Sequence, residues 1–432
     1  MMQSKKRWVV VGMLLAALVG VGALSFWLPS AHADFVRTEG ALSAQIGALG
    51  TPSPVPSDAQ WNVQRMEFAS HYPDGFSFTL QATSSGGPIV RATVEWQHRE
   101  HNRPNQPITV RRAEGEIDPQ TGLITARWQP SGATAVPPWV GVYYVWKLRD
   151  EAGNEYVTER AFAEYSDDSH VWKRTEDDKV IVFATGLPDD IGDLVVQAVD
   201  AQYPKYVEGW GASLPYRPRV ILFGDFDSWL EWQVGHQDTS GLGVITVGMT
   251  SDTWGGTVQV VTGSARELAY GTVVHEIEHL HQYEFLAGRV SFTPGWFIEG
   301  DATFYQMDRE TLDYADWYVQ NLINNNDLPL LLHGPGPTTG GEDALHGYYM
   351  GYKFFQWLTE KWGMQAHRDL MGLLAEDMNF YEAIEAVTGM DLDTAERTWR
   401  AWLGADPNFP TLIPTPTPLP FLPTPTMMTF GN

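Results

Sequence analysis

The run His275-Glu276-Ile277-Glu278-His279 sets two imidazoles four residues apart with a carboxylate between them. On an α-helix, positions i and i+4 share a face one turn apart, so both rings can reach one metal ion. Glu276 beside them can hold a water and accept its proton. Two nitrogen ligands and a general base are what metal-assisted hydrolysis requires. With twelve histidines in 432 residues, chance alone supplies H-E-x-x-H in about one such chain in fifty, so the context decides. An ordinary amphipathic helix would carry these histidines on its wet face. Here Glu267 to Val274 leads in with apolar residues, and Leu280 and Phe285 continue the helical spacing. The pattern predicts a buried helix, where imidazoles need partners.

A catalytic zinc takes three protein ligands and keeps one position open. The candidate third ligand is Glu299, in Pro294-Gly295-Trp296-Phe297-Ile298-Glu299-Gly300. Nineteen residues separate it from His279. That length accommodates the end of one helix, a turn through Ser291 to Gly295, and an antiparallel second helix presenting Glu299. Trp296, Phe297 and Ile298 predict burial, and a buried lone carboxylate is costly unless it is paired or metal-bound. There are no cysteines. Disulfides and thiolate sites are therefore excluded, and one Zn2+ would rest on histidine and carboxylate. His281 faces away from the metal and reads as structural. Glu278 also leaves the metal face, as a solvated group or a partner behind the ligands.

The motif His275-Glu276-x-x-His279 followed by Trp296-x-x-Glu299-Gly300 resembles the gluzincin metallopeptidases, the group of thermolysin and the zinc aminopeptidases. More narrowly it is similar to the bacterial peptidase MA-like proteins, whose pattern is H-E-x-x-H and then P-x-W-x-x-E-G. The likeness runs on through Tyr348 to Leu358, Phe380 to Ile384 and Thr398 to Leu403, covering residues 170 to 404. It implies zinc on His275, His279 and Glu299, with Glu276 passing a proton from the attacking water to the leaving amine. It also implies an oxyanion-assisting tyrosine from a downstream helix. Tyr348, Tyr349 and Tyr352 lie in the right segment, and Tyr348 is the first choice. The strand before the metal helix, Thr257 to Thr262, is expected to edge a cleft where an extended peptide pairs. The residues after Glu299-Gly300 depart from relatives in two ways. Asp301-Ala302 replaces a small apolar pair, so Asp301 is either solvated or a partner behind the ligands. Thr303 stands where thermolysin-like enzymes place an acid, which leaves the orienting partner of His275 open. No G-x-M-E-N stretch occurs, which favours an endopeptidase over an aminopeptidase. Two other classes are a catalytically silent zinc-bearing surface protein acting as a binding module, and a surface protein with no metal. A binding-only protein has no need of Glu276.

The elements that must position these residues follow from pattern. Residues 1–33 read as a signal peptide or N-terminal membrane anchor. Lys5-Lys6-Arg7 precedes an uncharged run from Trp8 to Leu28, and Ala31-His32-Ala33 offers a cleavage site. Either form places the rest outside the cytoplasm, secreted or anchored to the membrane. Residues 34–60 are a linker. Residues 61–165 alternate with period two between turn signals, predicting an all-β sandwich of immunoglobulin or fibronectin type. Its strands are expected at Phe76 to Leu80, Val90 to Trp96, Ile108 to Val110, Leu123 to Trp128, Val142 to Leu148 and Tyr156 to Ala163. Residues 166–405 predict an α+β gluzincin-type metallopeptidase domain, a small mixed sheet followed by a mostly helical C-terminal half. A strand is expected at Gly243 to Val247 and a short helix at Asp227 to Trp232. Gly334 to Gly341 is a loop that could hang over the cleft. Trp210, Trp229, Trp232 and Trp254 could line that cleft, while the helical tryptophans, Trp317 among them, are expected in the core. Residues 406–432 are a Pro/Thr-rich tail. A net charge of −25 repels nucleic acid and anionic headgroups. The expected partner is a peptide or protein substrate, and nothing in the chain argues for an oligomer.

Overall fold

The computed structural model describes residues 59–100, 109–131, 134–232, 248–286, 290, 293–333, 336–341 and 343–408. The export segment, most of the linker, the strand expected at 243–247 and the Pro/Thr-rich run beyond 408 lie outside the described residues. No helix among the described residues is long and apolar enough to cross a membrane.

The chain opens with two antiparallel sheets. One joins β1 (Trp61–Ser70), β2 (Phe76–Ser84), β6 (Ile124–Trp128) and β5 (Glu116–Ile117) in that order. The other joins β4 (Arg111–Glu114), β3 (Ile89–Gln97), β7 (Gly141–Asp150) and β8 (Glu155–Val157), with β9 (Ala161–Glu164) also on β7. The period-two pattern does what it predicts. Phe76, Phe78 and Leu80 of β2 are fully buried, and the ring of Phe78 meets Trp96 of β3 and Tyr144 and Trp146 of β7. The single strand expected over 156–163 is broken in two. β8 pairs with Lys147–Arg149 and β9 with Gly141–Tyr144. Between them Thr158 takes over the backbone bonding, its Oγ1 accepting from Trp146 N and its N donating to Trp146 O, both at 2.9 Å.

A five-stranded mixed sheet follows, in the order β10 (Trp172–Glu176), β11 (Ile181–Thr185), β12 (Arg219–Phe223), β14 (Gly256–Val260) and β13 (Gly248–Ser251). β11, β12 and β14 run parallel, and β10 and β13 are antiparallel at the two ends. The three central strands are buried at every position, as parallel strands covered on both faces must be. Val182, Ala184, Val220 and Leu222 pack into the helical core. Ile181, Phe183, Ile221, Phe223, Val258 and Val260 pack into one core with the sandwich. Trp139 lies flat on Phe183 at 4.9 Å and 8°, and Trp229, Trp232 and Trp254 are buried in this same layer. Trp210 is buried in the helical core. Trp210, Trp229 and Trp232 are therefore packing groups, and for them the reading that they line a cleft is corrected, whereas Trp254 borders a cavity with His98, Arg99 and Tyr216. Trp317 goes the other way and is 58% exposed. Beyond β3, Arg99 reaches Glu284 at 2.6 Å, with both side chains 3% exposed.

One further expectation changes. The strand before the metal helix is not the edge of its sheet, because the chain enters it through the β13–β14 hairpin. β14 sits between β12 and β13, and β13 is the terminal strand among the described residues.

Helix α1 (Ile191–Trp210) covers the sheet, and α2 (Phe226–Glu231), capped by Asp225, follows β12. Ser264 and Glu267 form a capping box on α3 (Ala265–Glu267). A π-helical stretch, Leu268–Val273, then feeds α4 (Val274–Phe285). The remainder is helical: α5 (Gly295–Phe304), α6 (Arg309–Asn324), α7 (Leu345–Trp362), α8 (Met364–Ala375), α9 (Phe380–Thr388) and α10 (Leu392–Leu403). The molecule thus has the expected order of β-sheets, a mixed α/β region and a mostly helical C-terminal part. The described part of the 334–341 loop packs on the helix starts: Thr338 O accepts from Gly347 N at 3.0 Å, and Gly336 lies against Trp296.

Candidate metal centre

Helices α4 and α5 supply the site. His275 and His279 share one face of α4, and Glu299 faces them from α5. Glu299 Oε2 lies 3.2 Å from His275 Nε2 and 3.4 Å from His279 Nε2. One ligand atom from each of the three falls within 4.8 Å of the others, and all three residues are buried. Two imidazole nitrogens and a carboxylate oxygen around one point form a donor set that suits zinc. The electrostatics agree with a site built for a cation. Burial alone would raise the Glu299 pKa, yet the His279 and His275 rings hold it far below the usual carboxylate range. Burial alone would lower His279, and Glu299 carries it instead up to about 9.

The approach of α7 explains how Glu299 is placed. A Cβ on Gly300 would stand 2.3 Å from Gly351 Cα, and one on Gly351 would stand 2.1 Å from Trp296 O. Only glycine at both positions lets the two backbones touch. This brings Tyr348, one turn before Gly351, to the site. Its ring lies nearly parallel to His275 at 5.9 Å and 13°. Burial first, and then the charge of Glu299 and a hydrogen bond to it, hold its pKa well above the usual phenol range. The phenol therefore stays a donor. The other two candidate tyrosines go elsewhere. Tyr349 packs on Tyr314 and Tyr318, and the hydroxyl of Tyr352 accepts from Gln356 Nε2. Glu276 follows His275 on α4, and its carboxylate accepts a hydrogen bond from Thr250 of the terminal strand β13.

The partners behind the ligands answer what the sequence left open. Gln306 Nε2 lies 3.0 Å from His275 Nδ1, and Gln306 Oε1 is buried with no partner among the described residues. Turning that amide over would let Oε1 accept from Nδ1–H, the orientation a metal-ligating His275 requires. His279 Nδ1 lies 2.8 Å from Gln282 Oε1. Asp301 is fully buried, which excludes the solvated reading. Glu278 is fully buried as well, so its solvated reading is corrected. Trp210 Nε1 donates to it at 2.7 Å, while burial, and then the carboxylate of Asp301, push its pKa well above the normal range. His281 is structural, as its spacing implies. Its ring stacks on Tyr206 at 4.6 Å, its Nδ1 lies 3.0 Å from Ile277 O, and burial lowers its pKa to about 4.

Gln282, Gln306 and Thr250 are not legible from the sequence as partners of the site. Gln282 had one available signal, its position a turn beyond His279. Gln306 follows the end of α5 and Thr250 comes from a distant strand, so spacing to the motif carries no trace of either.

No protein-family profile matches the chain, and no curated protein matches it. Among solved structures, an M1 zinc metallopeptidase from Deinococcus radiodurans is similar over 83% of this chain and 97% of its own, at 13% identity and a TM-score of 0.31. A mutant of the same enzyme is similar over 82% of this chain and 96% of its own, at 13% identity and a TM-score of 0.32. Likeness at this level says nothing of chemistry, which rests on the site itself.

Proposed function

We propose that this chain is an extracytoplasmic zinc-dependent peptidase, an endopeptidase, in which His275, His279 and Glu299 hold one zinc ion and Glu276 is the general base. The observation that carries the reading is the convergence of His275 Nε2, His279 Nε2 and Glu299 Oε2 with the Glu276 carboxylate on the same helix. Zinc, when bound, supplies a Lewis acid that polarises a scissile carbonyl and makes water acidic enough to attack it. Glu276 takes the proton of the attacking water and hands it to the leaving amine. Its bond from Thr250 fixes the carboxylate beside the terminal strand. Strand β13 offers an extended peptide a backbone to pair with, which brings a scissile bond past Glu276. Tyr348, kept protonated, donates to the oxyanion as it develops. Residues 1–33 take the protein across the membrane and are either removed or kept as its anchor.

The test is Glu276→Gln. Zinc should stay bound at one per chain, while hydrolysis of casein and of a mixed peptide library falls by about 10²–10⁴. Retained hydrolysis in that variant sinks the mechanism, and a wild-type protein that takes up no zinc sinks the metal site.

A further inference from the structure

Behind His279 runs a line of hydrogen bonds whose direction is fixed at Gln282. Gln282 Nε2 donates to Ile298 O at 2.9 Å and to Asp301 Oδ2 at 3.0 Å. Both partners are acceptors only, since one is a backbone carbonyl and the other a carboxylate. Turning the Gln282 amide over would set its oxygen against two other oxygens. Its Oε1 must therefore face His279 Nδ1, 2.8 Å away, and accept from it. Asp301 is pinned in turn. Its Oδ1 lies 2.8 Å from His367 Nε2 on α8, and His367 Nδ1 faces the hydroxyl of Tyr305 at 3.4 Å. A carboxylate accepts, so His367 donates to Asp301 from Nε2. His279, Gln282, Asp301, His367 and Tyr305 are all at most 1% exposed, so water cannot substitute for a missing member.

We propose that Asp301, acting through Gln282, holds a proton on His279 Nδ1, so that Nε2 is the nitrogen this ring presents to the ligand point, and that His367 anchors this relay from the helical C-terminal part. Gln282, Asp301 and His367 are positioning residues that touch no substrate. The relay assigns a use to a fully buried carboxylate and imidazole that the hydrolytic reading leaves idle. It also separates the two histidine ligands. His275 leans on an amide near the rim, whereas His279 leans on a chain that ends on a helix of the C-terminal part. The proposal rests on the metal reading for its purpose but not for its hydrogen-bond polarity.

Two measurements on the full chain test it. In the metal-free protein at pH 10, where imidazoles are neutral, long-range ¹H–¹⁵N spectra should show His279 protonated at Nδ1 and bare at Nε2. Finding the proton on Nε2 overturns the relay whether or not zinc binds. Zinc affinity, from competition with a chromophoric chelator, supplies the second. Gln282→Leu removes the acceptor and should weaken zinc by about 10–100-fold, the usual effect of losing such a partner. Gln282→Glu can share a proton with Asp301 and still accept from Nδ1–H, so it should restore affinity to within about threefold of wild type. A merely structural role would lower stability in both variants without this split. Gln282→Leu binding zinc as tightly as wild type overturns the relay, while wild type failing to bind zinc overturns the metal reading alone. If Gln282→Leu does not fold, the tautomer spectrum of the wild type still decides.

Discussion

Glu276 and Tyr348 approach the ligand point from different elements, and their predicted effects differ accordingly. Tyr348 stacks on His275 and bonds to Glu299, yet its hydroxyl is not needed to hold the cation. Tyr348→Phe should leave zinc affinity unchanged and lower kcat by about 10²-fold, the scale of losing one oxyanion donor. Steady-state kinetics beside a zinc titration check both halves. The same substitution at Tyr349, which faces Tyr314 and Tyr318, should leave kcat near wild type. At this scale helix geometry separates the neighbouring candidates. Residues 348 and 349 point about 100° apart, and only one of them can face α5.

At the scale of elements, the contact between α5 and α7 controls the site. Gly300 and Gly351 touch backbone to backbone, and any side chain at either must push the helices apart. Gly351→Ala should destabilise the fold by about 1–3 kcal/mol, the range for overpacking a tight interior, measured by urea denaturation. It should also weaken zinc, because Glu299 precedes the contact by one residue and Tyr348 by one turn. Gly389→Ala makes the control, since a Cβ there meets nothing within 4 Å. Any cost at that position comes from its left-handed φ of 69° and should leave zinc affinity alone. The π-helical stretch before His275 belongs to the same scale. It feeds directly into the turn that carries both histidines.

For the molecule as a whole, the sandwich and the mixed sheet share a core. A chain cut before β10 would expose Ile181, Phe183, Ile221, Phe223, Val258 and Val260 on one face, a patch that soluble monomers rarely tolerate. Limited proteolysis of the intact protein should therefore cleave the junction slowly. A chain starting at residue 166 should aggregate, as size-exclusion chromatography would show. The junction also carries a pH signature. His98 is buried with Nδ1 2.9 Å from Gly141 O, and burial, then the charge of Arg111, lowers its pKa to about 4. An unfolded histidine binds its proton near pH 6.5. Between those values the unfolded chain holds more protons, so this contribution is full above pH 6.5 and is lost as pH falls towards 4. The amount is on the order of 3 kcal/mol. His98→Asn should flatten the difference in urea stability between pH 7.5 and 4.5 relative to wild type.

Local pattern determined much of this protein. Period-two alternation marked β2, β3, β6 and β7, helical spacing marked α7 to α10, and the i, i+4 histidines with Glu299 in an aromatic run marked the ligand point, because in each case the chemistry lies within a few turns of chain. The rest waited on tertiary structure. Which strand ends the sheet depended on a hairpin, since β13 precedes β14 yet lies outside it. Whether Glu278 and Asp301 meet water depended on what covers them, and Trp210, Gln282 and His367 come from α1, α4 and α8. Sequence spacing can align side chains on one element, but burial and hydrogen-bond polarity are set by the other elements packed against it.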